Sequence, residues 1–233
     1  MKDAMNSIAA HAYYTGARGL FLIIFLALTG CALPTQPVRP VVYDFGPGTL
    51  TPPAATDMPR LAPLAVAEIE ANPALDSSAV LYRLAYVDAQ QLQPYAKARW
   101  SMTPAQLVRQ RLRDHLGQRR ALLNPGDDDT FSAASPPTTQ APLTRRTPLT
   151  LRIELEEFSQ LFEAADRSVG LLRLRATLTR PSPTGEKLVA QRSVIVQRPA
   201  PTADAPGGVR ALTAATDAAV QEIDEWLQGL NAN

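Results

Sequence analysis

Residues 149–156 read Leu149-Thr150-Leu151-Arg152-Ile153-Glu154-Leu155-Glu156, and every second one is apolar. Alternation at period two puts the leucines and the isoleucine on one side of an extended chain and the polar residues on the other, the pattern of a half-buried strand. Leu172, Leu174, Ala176 and Leu178 repeat it against Arg173, Arg175, Thr177 and Thr179. Pro181-Ser182-Pro183-Thr184-Gly185 supplies a turn, and Leu188 to Val196 returns from it. Three strands joined this closely predict an antiparallel meander with one wet face.

Working outward, Val209, Leu212, Thr216, Ala219, Val220, Ile223, Leu227 and Leu230 form one stripe of a long C-terminal helix, with Trp226 at its edge. On the other side, residues 41–45, 64–69, 80–86 and 92–100 read as short strands. Thr103-Pro104 then opens a second helix, with Thr as N-cap and Pro at the first helical position, and Gly117 punctuates its end. Pro-rich stretches at 47–63 and 124–148 interrupt these elements. The order strands, helix, strands, helix predicts one α+β domain over residues 41–233, an antiparallel sheet with two helices packed on one face.

Residues 1–30 carry Lys2 and Arg18 ahead of the apolar run Leu20 to Leu28. Nine residues reach about 14 Å as a helix, roughly half of a bilayer core, but suit the central region of a signal peptide. Met5 is an alternative start. Leu28-Thr29-Gly30-Cys31 resembles a bacterial lipobox, and Cys31 is the sole cysteine of the chain. Small residues at 29 and 30 fit a narrow peptidase cleft, and the thiol is the group able to take a diacylglyceryl chain. Cleavage between Gly30 and Cys31 would then free an amine for a further acyl chain such as palmitate, and two or three chains anchor firmly. Residue 32 is Ala rather than Asp, so the inner-membrane retention signal of enteric lipoproteins is absent and the expected address is the outer membrane, facing the periplasm. Pro34, Pro37 and Pro40 make residues 31–40 an extended tether of up to about 28 Å.

Composition removes most side-chain chemistry. Loss of residues 1–30 takes away His11 as well as Lys2, Asp3 and Arg18. The remainder has equal numbers of basic and acidic side chains, a single histidine and an alkylated cysteine. His115 sits between Asp114 and Leu116 on the first helix, without the nucleophile and base that a hydrolase needs. Glu154 and Glu156 belong to the solvated face of their strand, with Glu157 beside them, and Asp127-Asp128-Asp129 lacks EF-hand spacing. No nucleotide-binding glycine motif is present. The expectation is no enzyme, no metal and no cofactor. A balanced charge behind a secretion signal also argues against nucleic acid. Basic residues concentrate at Arg109, Arg111, Arg113, Arg119 and Arg120; Arg109 and Arg113 share a helix face, either solvated or offered to lipid head groups or an acidic partner.

Tyr43-Asp44-Phe45, Tyr82-Arg83, Tyr95 with Arg99-Trp100 directly before a helix, Glu157-Phe158, and a final Ala-rich helix closing on Trp226-Leu227 follow the lipobox in order. In that order they resemble the ABC-type transport auxiliary lipoproteins, the PqiC-like group, over most of residues 41–230. The resemblance implies a non-catalytic outer-membrane lipoprotein of a Gram-negative bacterium. Its partners would be an ATPase, an ABC permease and substrate-binding subunits of the mammalian-cell-entry type, in a system that moves lipid between membranes and sustains membrane integrity. A homo-oligomer is compatible with it. Tyr95, Arg99 and Trp100, with Arg109 and Arg113, are the candidate partner interface, because Trp and Arg anchor interfaces well. The alternative places Trp100 in the core and pairs Arg99 with an acidic strand residue. Two rival functions share the anchor: a structural lipoprotein that assists an outer-membrane translocon, and a lipid-binding carrier.

Overall fold

The structure, a computed structural model, describes residues 39–48, 61–127 and 148–231. The signal peptide, the Gly30–Cys31 cleavage and lipidation site, most of the tether and most of both later Pro-rich stretches lie outside the described residues.

Among the described residues eight strands and three α-helices follow in the order β1 (Val41–Tyr43), β2 (Leu61–Ala71), β3 (Ala79–Leu84), α1 (Ala85–Asp88), β4 (Ala89–Trp100), α2 (Pro104–Leu116), β5 (Arg120–Leu123), β6 (Leu149–Ala164), β7 (Arg167–Ser182), β8 (Gly185–Pro199) and α3 (Ala205–Asn231), with a short 3-10 turn at Pro73–Leu75. The class is α+β. The sheet, expected to be antiparallel, is mixed: β1 runs parallel to β4, β2 to both β5 and β6, and β3 to β6. Only β3–β4 and the β6–β7–β8 meander are antiparallel. The reason is topological. β2 and β3 sit one after the other along the same edge of β6, so their direction is set by the crossovers that lead to β6. Alternation within a strand carries no information about that direction.

β6 is the spine. Its first half pairs with β2 from Leu64↔Leu149 to Ala71↔Leu155, and its last residues pair with β3 from Tyr82↔Gln160 to Leu84↔Phe162. The other edge is covered by β7 along its whole length. Between Leu155 and Glu157 a bulge inserts one residue opposite Arg173. Because side chains alternate, one extra residue exchanges the faces. Leu151, Ile153 and Leu155 point inward before it, Phe158, Gln160 and Phe162 after it, and all are buried. Outward, Arg175 meets Glu154 and Glu156, and Arg173 meets Glu156, so this face is wet and charge-paired.

Both long helices lie against the inward face. α2 buries Leu107, Val108, Leu112 and Leu116, and α3 buries Leu212, Ala215, Ala219, Ile223 and Leu227, in one core with the sheet leucines. Each fully buried side chain of leucine size contributes roughly 1.5–3 kcal/mol. α2 starts as its sequence predicts, with Pro104 in its first turn and a capping box between Thr103 and Gln106. α3 starts earlier than its apolar stripe. Asp204 caps it by accepting the Gly207 N–H at 2.8 Å, and Gly170 lets β7 approach the helix, since a Cβ there would lie 2.6 Å from the Ala211 backbone. α1 interrupts the strand expected to run on to Tyr86, and β5 has no counterpart among the strands expected from the sequence.

Candidate functional site

The motif residues scattered through the first two thirds of the chain converge on the β3–β4–β6 part of the sheet. Phe45, just past β1, meets the Trp100 ring edge-on at 5.7 Å, and Trp100 packs on Phe158 at 5.7 Å. Trp100 is 2% exposed, and its indole N–H has no hydrogen-bond partner among the described residues. It therefore fills the junction of sheet and α2, and its candidacy as a partner anchor gives way to a core role. Tyr82 and Tyr95 stack at 4.6 Å, with Phe162 against Tyr82.

Polar ties fix these rings. Tyr95 donates its hydroxyl to Gln160 Oε1 at 2.9 Å, and the fully buried Gln160 donates its amide to Ser168 at 2.8 Å. Burial, reinforced by Tyr82 and Asp204, raises the Tyr95 pKa, so the phenol stays a neutral donor. Arg83 grips Glu157 with two nitrogens, at 3.3 and 3.0 Å, and its remaining arm donates to the carbonyls of Ala89 and Gln90. Arg83 thus joins β3, β6 and the start of β4. These motif residues build the fold.

Arg99 is different. It is exposed and has no ion pair among the described residues. The alternative that paired it with an acidic strand residue is not what the geometry shows.

The basic residues of α2 and the start of β5 separate by face. Arg111 turns inward, donating to the Phe45 carbonyl and meeting Asp217 of α3 at 3.2 Å. Arg120, nearly enclosed, donates to Asp224 at 3.1 Å, and His115 lies 3.6 Å from the same carboxylate. Burial lowers the Arg120 pKa, and Asp224 opposes that shift. Arg109 and Arg113 instead line an open groove of about 540 Å³ together with the carboxylates Glu68 and Asp114 and with Met102, Gln106 and Gln110. Arg109 meets Glu68 at 3.0 Å, but Glu68 is 78% exposed. The Nε of Arg109 and one terminal nitrogen of Arg113 are shielded from solvent and have no acceptor among the described residues, as is also true of the Nε atoms of Arg119 and Arg120. Sequence reasoning found Arg109 and Arg113 from their spacing. It missed Gln160 and Asp224, whose burial follows from the bulge and from the position of α3.

Among the described residues, no group of three or more metal-binding side chains comes together, and no helix is long and apolar enough to cross a membrane. The sequence model for the ABC-type transport auxiliary lipoprotein component matches residues 43–224. No curated protein matches the chain. Among solved structures, protein XCC0632 from Xanthomonas campestris, assigned to family model DUF330, superposes with a TM-score of 0.59 at 19% identity, over 83% of this chain and 95% of that one. An uncharacterised protein superposes with a TM-score of 0.53 at 12% identity, over 81% of this chain and 99% of the other. At these identities the likeness concerns the fold.

Proposed function

Because the chain belongs to the ABC-type transport auxiliary lipoprotein component family, we propose that it is a non-catalytic subunit of an ABC-type system that moves lipid between membranes. In this reading Cys31 carries the acyl anchor after cleavage behind Gly30, and the anchor sits in the outer membrane facing the periplasm. An ATPase, a permease and mammalian-cell-entry-type subunits complete the system, and ATP is used there. The domain contributes position. It docks through the α2 groove, where Arg109 and Arg113 meet an acidic segment of a partner, with exposed Arg99 as a further contact.

The family match over residues 43–224 is the observation that carries this reading, and the open groove with Arg109 and Arg113 on one helix face supports the docking surface. Co-purification from membranes tests it. The native protein should bring down the permease and substrate-binding subunits, and Arg109→Glu with Arg113→Glu should lose them while remaining folded and acylated. Recovery of an outer-membrane barrel instead would assign the protein to translocon assistance.

A further inference from the structure

We infer that the β3–β4 tip, Tyr86 and Val87 of α1, is the surface with which the domain rests on the lipid bilayer. The inference rests on the anchoring of Cys31 proposed above and adds which end of the domain faces the membrane.

Three observations lead to it. Tyr86 is 50% exposed and Val87 70% exposed, side by side on a four-residue helix at the end of a hairpin. The hairpin end is held in shape rather than loose: Arg83 donates to the Ala89 and Gln90 carbonyls, and Asp88 accepts the Gln90 N–H at 2.9 Å. An apolar residue beside a tyrosine, on a braced tip, suits the boundary between head groups and acyl chains, where a tyrosine keeps its hydroxyl wet.

The second observation is chain direction. β1 is parallel to β4, with Val41 opposite Ala98 and Tyr43 opposite Trp100. The backbone therefore comes into the sheet from the side on which β4 begins, which is the α1 side. The third is reach. Nine residues separate Cys31 from Val41, about 28 Å at full polyproline extension. From Ala98 back to Ala89 along β4 is nine steps, about 30 Å. A bilayer holding Cys31 is thus near enough to meet the tip, with the domain standing end-on.

Charge does not supply the attraction. The neighbouring β6–β7 turn carries Glu163 paired with Arg167, and Asp88 is engaged by the turn backbone. The contact is apolar and should persist in high salt.

The test uses the full-length acylated protein in phosphatidylcholine vesicles with brominated acyl chains. Tyr86→Trp adds an emission that the bromines should quench, in low and high salt alike. Val87→Asp in that background should restore the emission. Val42→Trp, at a position exposed but far from the tip along β4, should give an emission that stays bright. Mass analysis of the amino-terminal peptide is read in parallel. An unmodified Cys31 removes both the anchoring and this inference, whereas an acylated Tyr86→Trp protein whose added emission is unquenched removes this inference alone. Quenching of Val42→Trp with none of Tyr86→Trp overturns it in favour of a side-on pose. Burial of the tip by cross-linked copies, without quenching, overturns it in favour of self-association.

Discussion

Gly208 and Gln160 claim the same space: a Cβ built on Gly208 would run into the side-chain amide of Gln160, in contact with its Oε1 and 3.2 Å from its Cβ. The first turn of α3 thus leaves room for the amide that ties Tyr95 to Ser168, and β4, β6, β7 and α3 meet there.

Gly208→Ala should therefore destabilise the protein by about 1–3 kcal/mol, the usual cost of overpacking a tight site. Gly229→Ala, where an added Cβ meets nothing within 4 Å on the same helix, should be neutral or gain up to about 1 kcal/mol. Urea titrations of the two variants give the comparison, and equal midpoints would contradict the packing.

Trp100→Ala should lose about 3–5 kcal/mol, as expected for an enclosed large aromatic. The loss appears in thermal melts without any partner. A variant with an unaltered melt and impaired complex formation would return Trp100 to the interface.

The bidentate Arg83–Glu157 pair has side chains 20% and 12% exposed. Removing one member leaves the other charge poorly solvated, so Glu157→Gln or Arg83→Met alone should cost about 1–3 kcal/mol, less than for a fully buried pair. Replacing both should cost less than the sum of the singles, and a double-mutant cycle by denaturation measures the coupling.

Asp204 has its pKa lowered from 3.8 by the Thr202 hydroxyl, and then by the Gly207 N–H that it caps. A depressed folded pKa means that the stabilisation is present above the unfolded value and is lost as pH falls through the folded one. Asp204→Ala should cost about 1 kcal/mol at neutral pH. The gap between variant and parent should close below the ordinary aspartate range, read by melts over a pH series.

Arg109 pairs with a carboxylate that is mostly in water, and such a pair contributes roughly 0–1 kcal/mol. Arg109→Ala should leave the melt within about 0.5 kcal/mol of the parent. Any loss of co-purifying subunits from groove variants then reports on docking. A large drop in stability would withdraw the groove as a docking site.

Periodicity made the β6–β7–β8 meander readable, because one side of each strand meets the core and the other meets water. Thr103-Pro104 likewise announced α2, since the cap chemistry is local. Pairing direction was not readable: β2 is parallel to β6 because of where the chain crosses, which no residue of β2 records. Ala85-Tyr86 continue the expected strand by their side chains, yet they begin a turn of helix that runs to Asp88, beside the Arg83 guanidinium. The role of Trp100 could not be decided in advance, since the same indole serves a core or an interface, and only the positions of Phe45 and Phe158 separate the two. For the groove, helical spacing put Arg109 and Arg113 together, but the nearness of Glu68 on β2 required the tertiary fold.

β6 and β7 are each 16 residues long and pair from Thr150↔Thr179 to Ala164↔Arg167, a ladder of about 40–46 Å. Two strands locked together over that distance resist bending, and the β2 side that carries Glu68 and the β3 side that carries the α1 tip are both fastened to them. Load applied at one extremity is then transmitted to the other as movement of the whole body. In the proposed transport assembly such a part would act as a strut of fixed length.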